Sequence, residues 1–119
     1  MTAPTVLAVE SVEAALEWWG DALGFTTSFV HRSPAAPGVL NYAVVSRDDV
    51  EVHLARRREL TDRRRAELTI VVADLDALTG ELASRGVGAS RRHDGALVVH
   101  DPSGNRLLFR DPDDLNPPR

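Results

Sequence analysis

Thr5-Val-Leu-Ala-Val-Glu-Ser-Val-Glu-Ala-Ala-Leu16 and Leu68-Thr-Ile-Val-Val-Ala-Asp-Leu-Asp-Ala-Leu-Thr79 read as one structural phrase written twice. In each copy a short apolar run gives way to apolar residues at helical spacing. Each is followed by a glycine, Gly24 or Gly86, and then by short strand-like segments. One strand, one helix and a small curved sheet cannot cover both sheet faces. Two such halves can, and they leave a concave surface suited to a ligand. The repeat therefore predicts an α+β fold: two βαβββ modules forming a curved mixed β-sheet with a concave cleft.

The local signals fill in that plan. Val6 to Val9 reads as a strand. Ser11 is placed to cap the helix that follows, with Glu13 in its first turn. Val12, Ala15, Leu16, Trp19 and Leu23 form its apolar face, and Gly24 ends it. Phe25 to His31 reads as a strand. Arg32-Ser-Pro-Ala-Ala-Pro-Gly38 reads as a loop on its prolines. Leu40 to Ser46 and Val50 to Ala55 form a predicted hairpin around Arg47-Asp48-Asp49. In the second half Leu68 to Val72 is a strand. Asp74 caps a helix with apolar positions Leu75, Leu78 and Leu82, which Gly86 closes. Strands over Val87–Ser90, Ala96–His100 and Arg106–Arg110 complete the repeat, with Asp101-Pro-Ser-Gly-Asn105 as turn chemistry.

At 119 residues the chain is read as a single domain, with module 1 over about 4–56, a linker over 57–65, module 2 over about 66–111 and a tail over 112–119. The absence of cysteine excludes disulfides, thiolate ligands and a cysteine nucleophile. All 14 basic residues are arginine, so no lysine Schiff base or P-loop is possible. A net charge of −4 and an arginine-rich 56–65 stretch without interleaved aromatics argue against nucleic acid. No apolar run spans a bilayer and no secretory signal is evident, so a cytoplasmic protein without a membrane partner is expected. No serine sits on a strand-to-helix elbow, and no Ser-His-Asp arrangement is legible.

Strand alternation sorts the faces. Leu7, Val9, Val50, Val52, Leu54, Ile70, Val72, Leu107 and Phe109 should meet the helices. Pro4, Val6, Ala8, Glu51, His53, Ala55, Glu67, Thr69, Val71, Arg106, Leu108 and Arg110 should point the other way, a mixed lining that suits a cleft. Trp19 belongs to the core, while Trp18 lies off the apolar stripe. His31, His93 and His100 lie near turns and read as solvated.

Val9-Glu-Ser-Val-Glu-Ala-Ala-Leu-Glu-Trp-Trp-Gly-Asp-Ala-Leu-Gly-Phe25 resembles the opening helix of the glyoxalase/bleomycin resistance/extradiol dioxygenase (vicinal oxygen chelate) superfamily. Asp101-Pro-Ser-Gly-Asn-Arg-Leu-Leu-Phe109 resembles its closing strand, and Asp49-Val-Glu-Val-His-Leu54 the middle strand of the bleomycin-resistance branch. The resemblance implies paired βαβββ modules and a homodimer, often with modules exchanged. In the superfamily's enzymes it implies a divalent metal held from strand positions that correspond here to Pro4, His53, Glu67 and Leu108. Proline and leucine offer no donor, and a catalytic site needs about three ligands. His53 and Glu67 are thus the only metal candidates in the pattern; a third donor would have to come from His100, Glu51 or Tyr42, none at a position the pattern predicts, and no cofactor is expected.

The ligand-binding candidates are Phe29, Tyr42, His53, Glu67, Arg106 and Leu108. Phe29 and Tyr42 flank the Arg32–Gly38 segment and resemble the aromatics that grip a planar ligand in that branch; ordinary strand packing is the alternative. His53 reads as a ligand-facing or simply neighbour-bonded polar group, with Glu67 beside it to hold a cationic ligand or orient the imidazole. Arg106 and Arg110 read as solvated charge or anion steering. No catalytic residue is assigned. The expected function is binding or sequestering of an aromatic or cationic small molecule, as in antibiotic resistance. The alternatives are a metal-dependent lyase, isomerase or dioxygenase with an unusual ligand set, and a non-binding scaffold.

Overall fold

A computed structural model describes residues 5–57 and 66–112. Pro4, most of the arginine-rich linker and the end of the tail lie outside the described residues. The element order is β1 (Thr5–Val9), α1 (Val12–Leu23), β2 (Thr26–Ser33), β3 (Ala36–Arg47), β4 (Val50–Arg56), β5 (Glu67–Val71), α2 (Leu75–Ser84), β6 (Ser90–Arg91), β7 (Leu97–His100) and β8 (Arg106–Arg110). The strands make two four-stranded mixed sheets, β1-β4-β3-β2 and β5-β8-β7-β6. In each, the first strand runs parallel to the last and the others are antiparallel. Two βαβββ modules with the same strand order are therefore present.

Both helices start and stop where the sequence places the signals. The Ser11 side chain accepts from the Ala14 amide, and the Asp74 carboxylate accepts from the Ala77 amide. Each satisfies an orphan N–H of the first turn, which is worth about 1 kcal/mol. Gly24 sits in the left-handed region at φ 70°, which a side chain resists. The helix faces then meet the sheets. Trp19 is fully buried and packs edge-on against Phe25, with ring centroids 4.8 Å apart. One contiguous core runs through both modules, from Leu7, Val52 and Leu54 to Ile70, Leu107 and Phe109.

The Arg32–Gly38 segment is not a loop, which corrects the reading of its prolines. β2 extends to Ser33, β3 begins at Ala36, and only Pro34 and Ala35 form the turn. Proline is tolerated here because register shifts at Arg32 and Ser33 leave β3 residues without ladder partners, and Pro37 falls among them. At the edge of that shifted stretch the amide of Leu40, the register partner of Arg32, donates to the Glu13 carboxylate at 2.9 Å and ties the hairpin to α1. That bond is the main cause of the lowered Glu13 pKa.

Polar clamps join the modules. Asn105, wholly buried, donates to the carbonyl of Ala8 at 2.8 Å and to Asp101 at 2.9 Å, and accepts from the Ala66 amide at 2.9 Å. Arg57 adds bonds to Glu10 and to the carbonyls of Ala8 and Ser103. On another side, Arg47 forms a bidentate pair with Glu81 at 2.6 and 2.7 Å and donates to the Leu23 carbonyl at the end of α1. The Asp-Pro-Ser-Gly-Asn turn is thus a fastener between the halves as well as a turn.

Candidate functional site

The strand registers place the candidate residues in rows. Phe29, Val44, His53 and Val6 lie opposite one another across β2, β3, β4 and β1. His31, Tyr42, Ala55 and Ala8 make the next row, and Thr26, Ser46 and Glu51 another. Direct partners on neighbouring strands share a face. All these side chains therefore stand on the sheet face opposite the core.

Phe29 reaches this face through an irregularity. Thr27 pairs with Val45, yet Phe29 pairs with Val44, so two steps along β2 match one along β3. Without that shift Phe29 would share the face of Thr27 and Val45, toward the core. The shift turns it outward, where it is 52% exposed.

Tyr42 and His53 meet on this surface. The Tyr42 hydroxyl bonds to His53 Nδ1, and the two rings stand edge-on at 5.5 Å. His53 Nε2 bonds to Glu51 Oε1 at 2.9 Å. The His53 side chain is 16% exposed and that of Glu51 62%. Burial, and secondarily the charge of Glu51, raise the Tyr42 pKa above the ordinary tyrosine range. The sequence reading placed Glu51 on this face and considered it only as a third metal donor, not as a partner of His53. Its spacing of two from His53 on one strand was the signal.

The second sheet carries the other candidates. Glu67 pairs across to Arg106 with an ion pair of 3.2 Å, and His100 stands next in that row. An open hollow of about 670 Å³ lies over Ala66, Glu67, His100, Gly104 and Arg106. Thr69, Leu108, Val98 and Ser90 form the adjoining row, in which Leu108 is only 2% exposed. Arg110 pairs with Asp94 at 2.9 Å, so it is engaged rather than freely solvated; this bond is the first cause of the lowered Asp94 pKa. The structure joins Tyr42 to His53 and Glu67 to Arg106. It forms no hydrogen bond between His53 and Glu67; the imidazole is oriented by Glu51 instead.

A more enclosed, mostly apolar cavity of about 280 Å³ lies elsewhere, on the core side of the module junction between Phe25, Ile70, Leu78 and Phe109. The Arg47–Glu81 pair is part of its lining. It contains none of the expected site residues.

Three of the four metal positions, His53, Glu67 and Leu108, lie among the described residues. Leu108 has only carbon to offer. Both His53 ring nitrogens are occupied, by Tyr42 and Glu51, and the Glu67 carboxylate is paired with Arg106. Among the described residues no three His, Asp or Glu side chains gather where they could hold an ion. These residues do not fit a divalent metal. Among the described residues, no helix is long and apolar enough to cross a membrane.

Paired βαβββ modules with a polar and aromatic outer face define a vicinal-oxygen-chelate type of protein, without its usual donor set in the described residues. The model of the Glyoxalase/Bleomycin resistance protein/Dioxygenase superfamily matches residues 2–113, and the chain belongs to that superfamily. A solved relative is the bleomycin-binding protein from bleomycin-producing Streptomyces verticillus, complexed with copper(II)-bleomycin. It is 26% identical over 93% of this chain and 95% of its own, with a TM-score of 0.71. TioX from Micromonospora sp. ML1 is 19% identical over 93% of this chain and 95% of its own, at a TM-score of 0.72. Lactoylglutathione lyase from Agrobacterium tumefaciens is 14% identical over 97% and 95%, at 0.71. These two likenesses show the fold alone. No curated protein sequence matches the chain.

Proposed function

We propose that this protein binds and sequesters a small molecule on the outer face of its sheets, without a catalytic metal and without transforming the ligand. The observation that carries this reading is the state of His53. It occupies the one strand position of the first module that suits chelation, yet Tyr42 and Glu51 hold both its nitrogens. Its counterpart in the second module is the hydrocarbon Leu108. Phe29, exposed in the same row, supplies a ring on which a planar group can stack. The likeness to the bleomycin-binding protein supports a role in antibiotic resistance. A homodimer suits the reading, because Phe29 and Val6 on this face lie exposed in the single chain, and a second copy would enclose them.

Isothermal titration against bleomycin and a panel of aromatic antibiotics tests the proposal. Saturable binding by at least one compound is expected, with the compound recovered unchanged. No binding across the panel removes the sequestration reading. Metal analysis of protein purified without chelator tests the other half: a near-stoichiometric divalent ion would favour a metal-dependent lyase, isomerase or dioxygenase instead. Light scattering should return the mass of two chains.

A further inference from the structure

The hydrogen-bond chain on the first sheet has a direction that chemistry fixes. The Glu51 carboxylate can only accept, so His53 Nε2, 2.9 Å away, carries a hydrogen. In a neutral imidazole that leaves Nδ1 bare, and a bare ring nitrogen also only accepts. The Tyr42 hydroxyl bonded to Nδ1 is therefore the donor of that contact. Its one hydrogen is turned inward, and its oxygen presents only a lone pair to the outer face. The raised Tyr42 pKa, from burial first and Glu51 second, agrees with a phenol that keeps its proton rather than serving as a phenolate base.

Charge on the face points the same way. Among the described residues of these three rows, Glu51 is the one formal charge, and its side chain is mostly exposed. Phe29 stands in the His53 row two strands away, roughly 10 Å at the usual strand spacing. One ligand of two fused rings can span that distance.

We propose that Tyr42, His53 and Glu51 form an acceptor-only recognition array, whose ligand is a planar molecule bearing a cationic hydrogen-bond donor such as an amidinium or protonated amine. The array refuses carboxylates and phosphates, because it offers them no hydrogen and a like charge. This inference rests on the small-molecule reading above and gives it a polarity. It also assigns His53 a positioning role: the ring transmits the Glu51 orientation to the Tyr42 hydroxyl.

Two measurements test it. In the unliganded protein above the histidine titration range, two-bond ¹H–¹⁵N correlations should show His53 as the Nε2–H tautomer; the Nδ1–H tautomer overturns the proposal. In titrations with 2-naphthamidine and 2-naphthoate, which share a ring system and differ in charge, the amidine should bind at least about tenfold tighter. Glu51→Gln should abolish most of that preference, and Tyr42→Phe should weaken the amidine several-fold while the protein stays folded. Equal or tighter binding of the naphthoate, a preference that survives Glu51→Gln, or no binding of either probe overturns it. If an antibiotic from the panel binds while the probes show no charge preference, the polarity falls alone. If nothing binds, the sequestration reading falls with it.

Discussion

The two modules share an element order but differ at equivalent positions. In the first, the middle strands β2 and β3 are 8 and 12 residues long; their counterparts β6 and β7 are 2 and 4. Val6 pairs with His53 in one module, and Thr69 pairs with Leu108 at the same point of the other. The first member of that equivalence is a partly exposed imidazole in a hydrogen-bond chain; the second is a buried hydrocarbon. The repeat thus supplies two frames, of which the first carries the groups proposed for recognition, Phe29 and Tyr42 on its long hairpin and Glu51 and His53 on β4. A site that chelates an ion from both modules needs donors on both. Here one side is polar and the other is closed by hydrocarbon.

The most direct way to break that comparison is to truncate both members of the pair. Leu108→Ala removes buried methyl groups and is expected to cost about 3 kcal/mol. His53→Ala leaves a partly exposed Tyr42 hydroxyl that water can satisfy, and should cost about 1 kcal/mol. Denaturant melts of the two variants measure both. Similar losses would mean that the two positions have the same structural role and that the modules are not asymmetric there.

The fastening between modules gives the next largest effect. Asn105→Ala would leave the Ala66 amide and the Ala8 carbonyl without their buried partner. A loss of about 2 to 3 kcal/mol is expected by urea unfolding. If the second module were an independent frame rather than a support for the first, unfolding would split into two transitions.

What the sequence revealed was what local chemistry decides. The caps at Ser11 and Asp74, the stop at Gly24 and the buried faces of both helices depend on residues within one or two turns of each other. So does the outward placement of His53 and Glu51, which follows from alternation within β4. The strand character of Arg32–Gly38 was hidden because it depends on pairing between β2 and β3, which lets a register shift absorb Pro37. Phe29 was named for its chemistry, but its face is set by a shift at Ser28 that no residue type announces. The Tyr42–His53 bond needed the β3–β4 register, which puts Tyr42 opposite Ala55 and so diagonal to His53. The separation of Glu67 from His53 was equally non-local, since it reflects the sheet to which each belongs.

Phe29 also offers a comparison within a single strand. Val30, its neighbour, pairs with Ala43 and so faces the other way, although 41% exposed. For any antibiotic that binds in the panel, Phe29→Ala is expected to weaken the affinity about tenfold, roughly 1.4 kcal/mol. Val30→Ala should leave it within experimental error. Equal effects from both would place the ligand off this face.

The smallest effect concerns how the modules stay together as pH falls. The Arg47 fork is the first cause that holds the Glu81 carboxylate below the ordinary glutamate range, with Arg85 adding to it. A carboxylate depressed in the folded state contributes its full stability above the unfolded pKa and loses it as pH falls through the folded one. Arg47 remains charged throughout, its own pKa being raised by the same bond. Glu81→Gln should therefore cost about 1 kcal/mol at neutral pH and progressively less on acidification. Melts of both proteins at neutral pH and at about pH 3 measure the difference, since most carboxylates are protonated there. The gap between wild type and variant should narrow at the lower value, while Glu13 and Asp94, depressed by bonds that do not cross the module junction, still weaken both proteins alike. A gap that stays constant would mean that the Arg47–Glu81 pair contributes through shape alone.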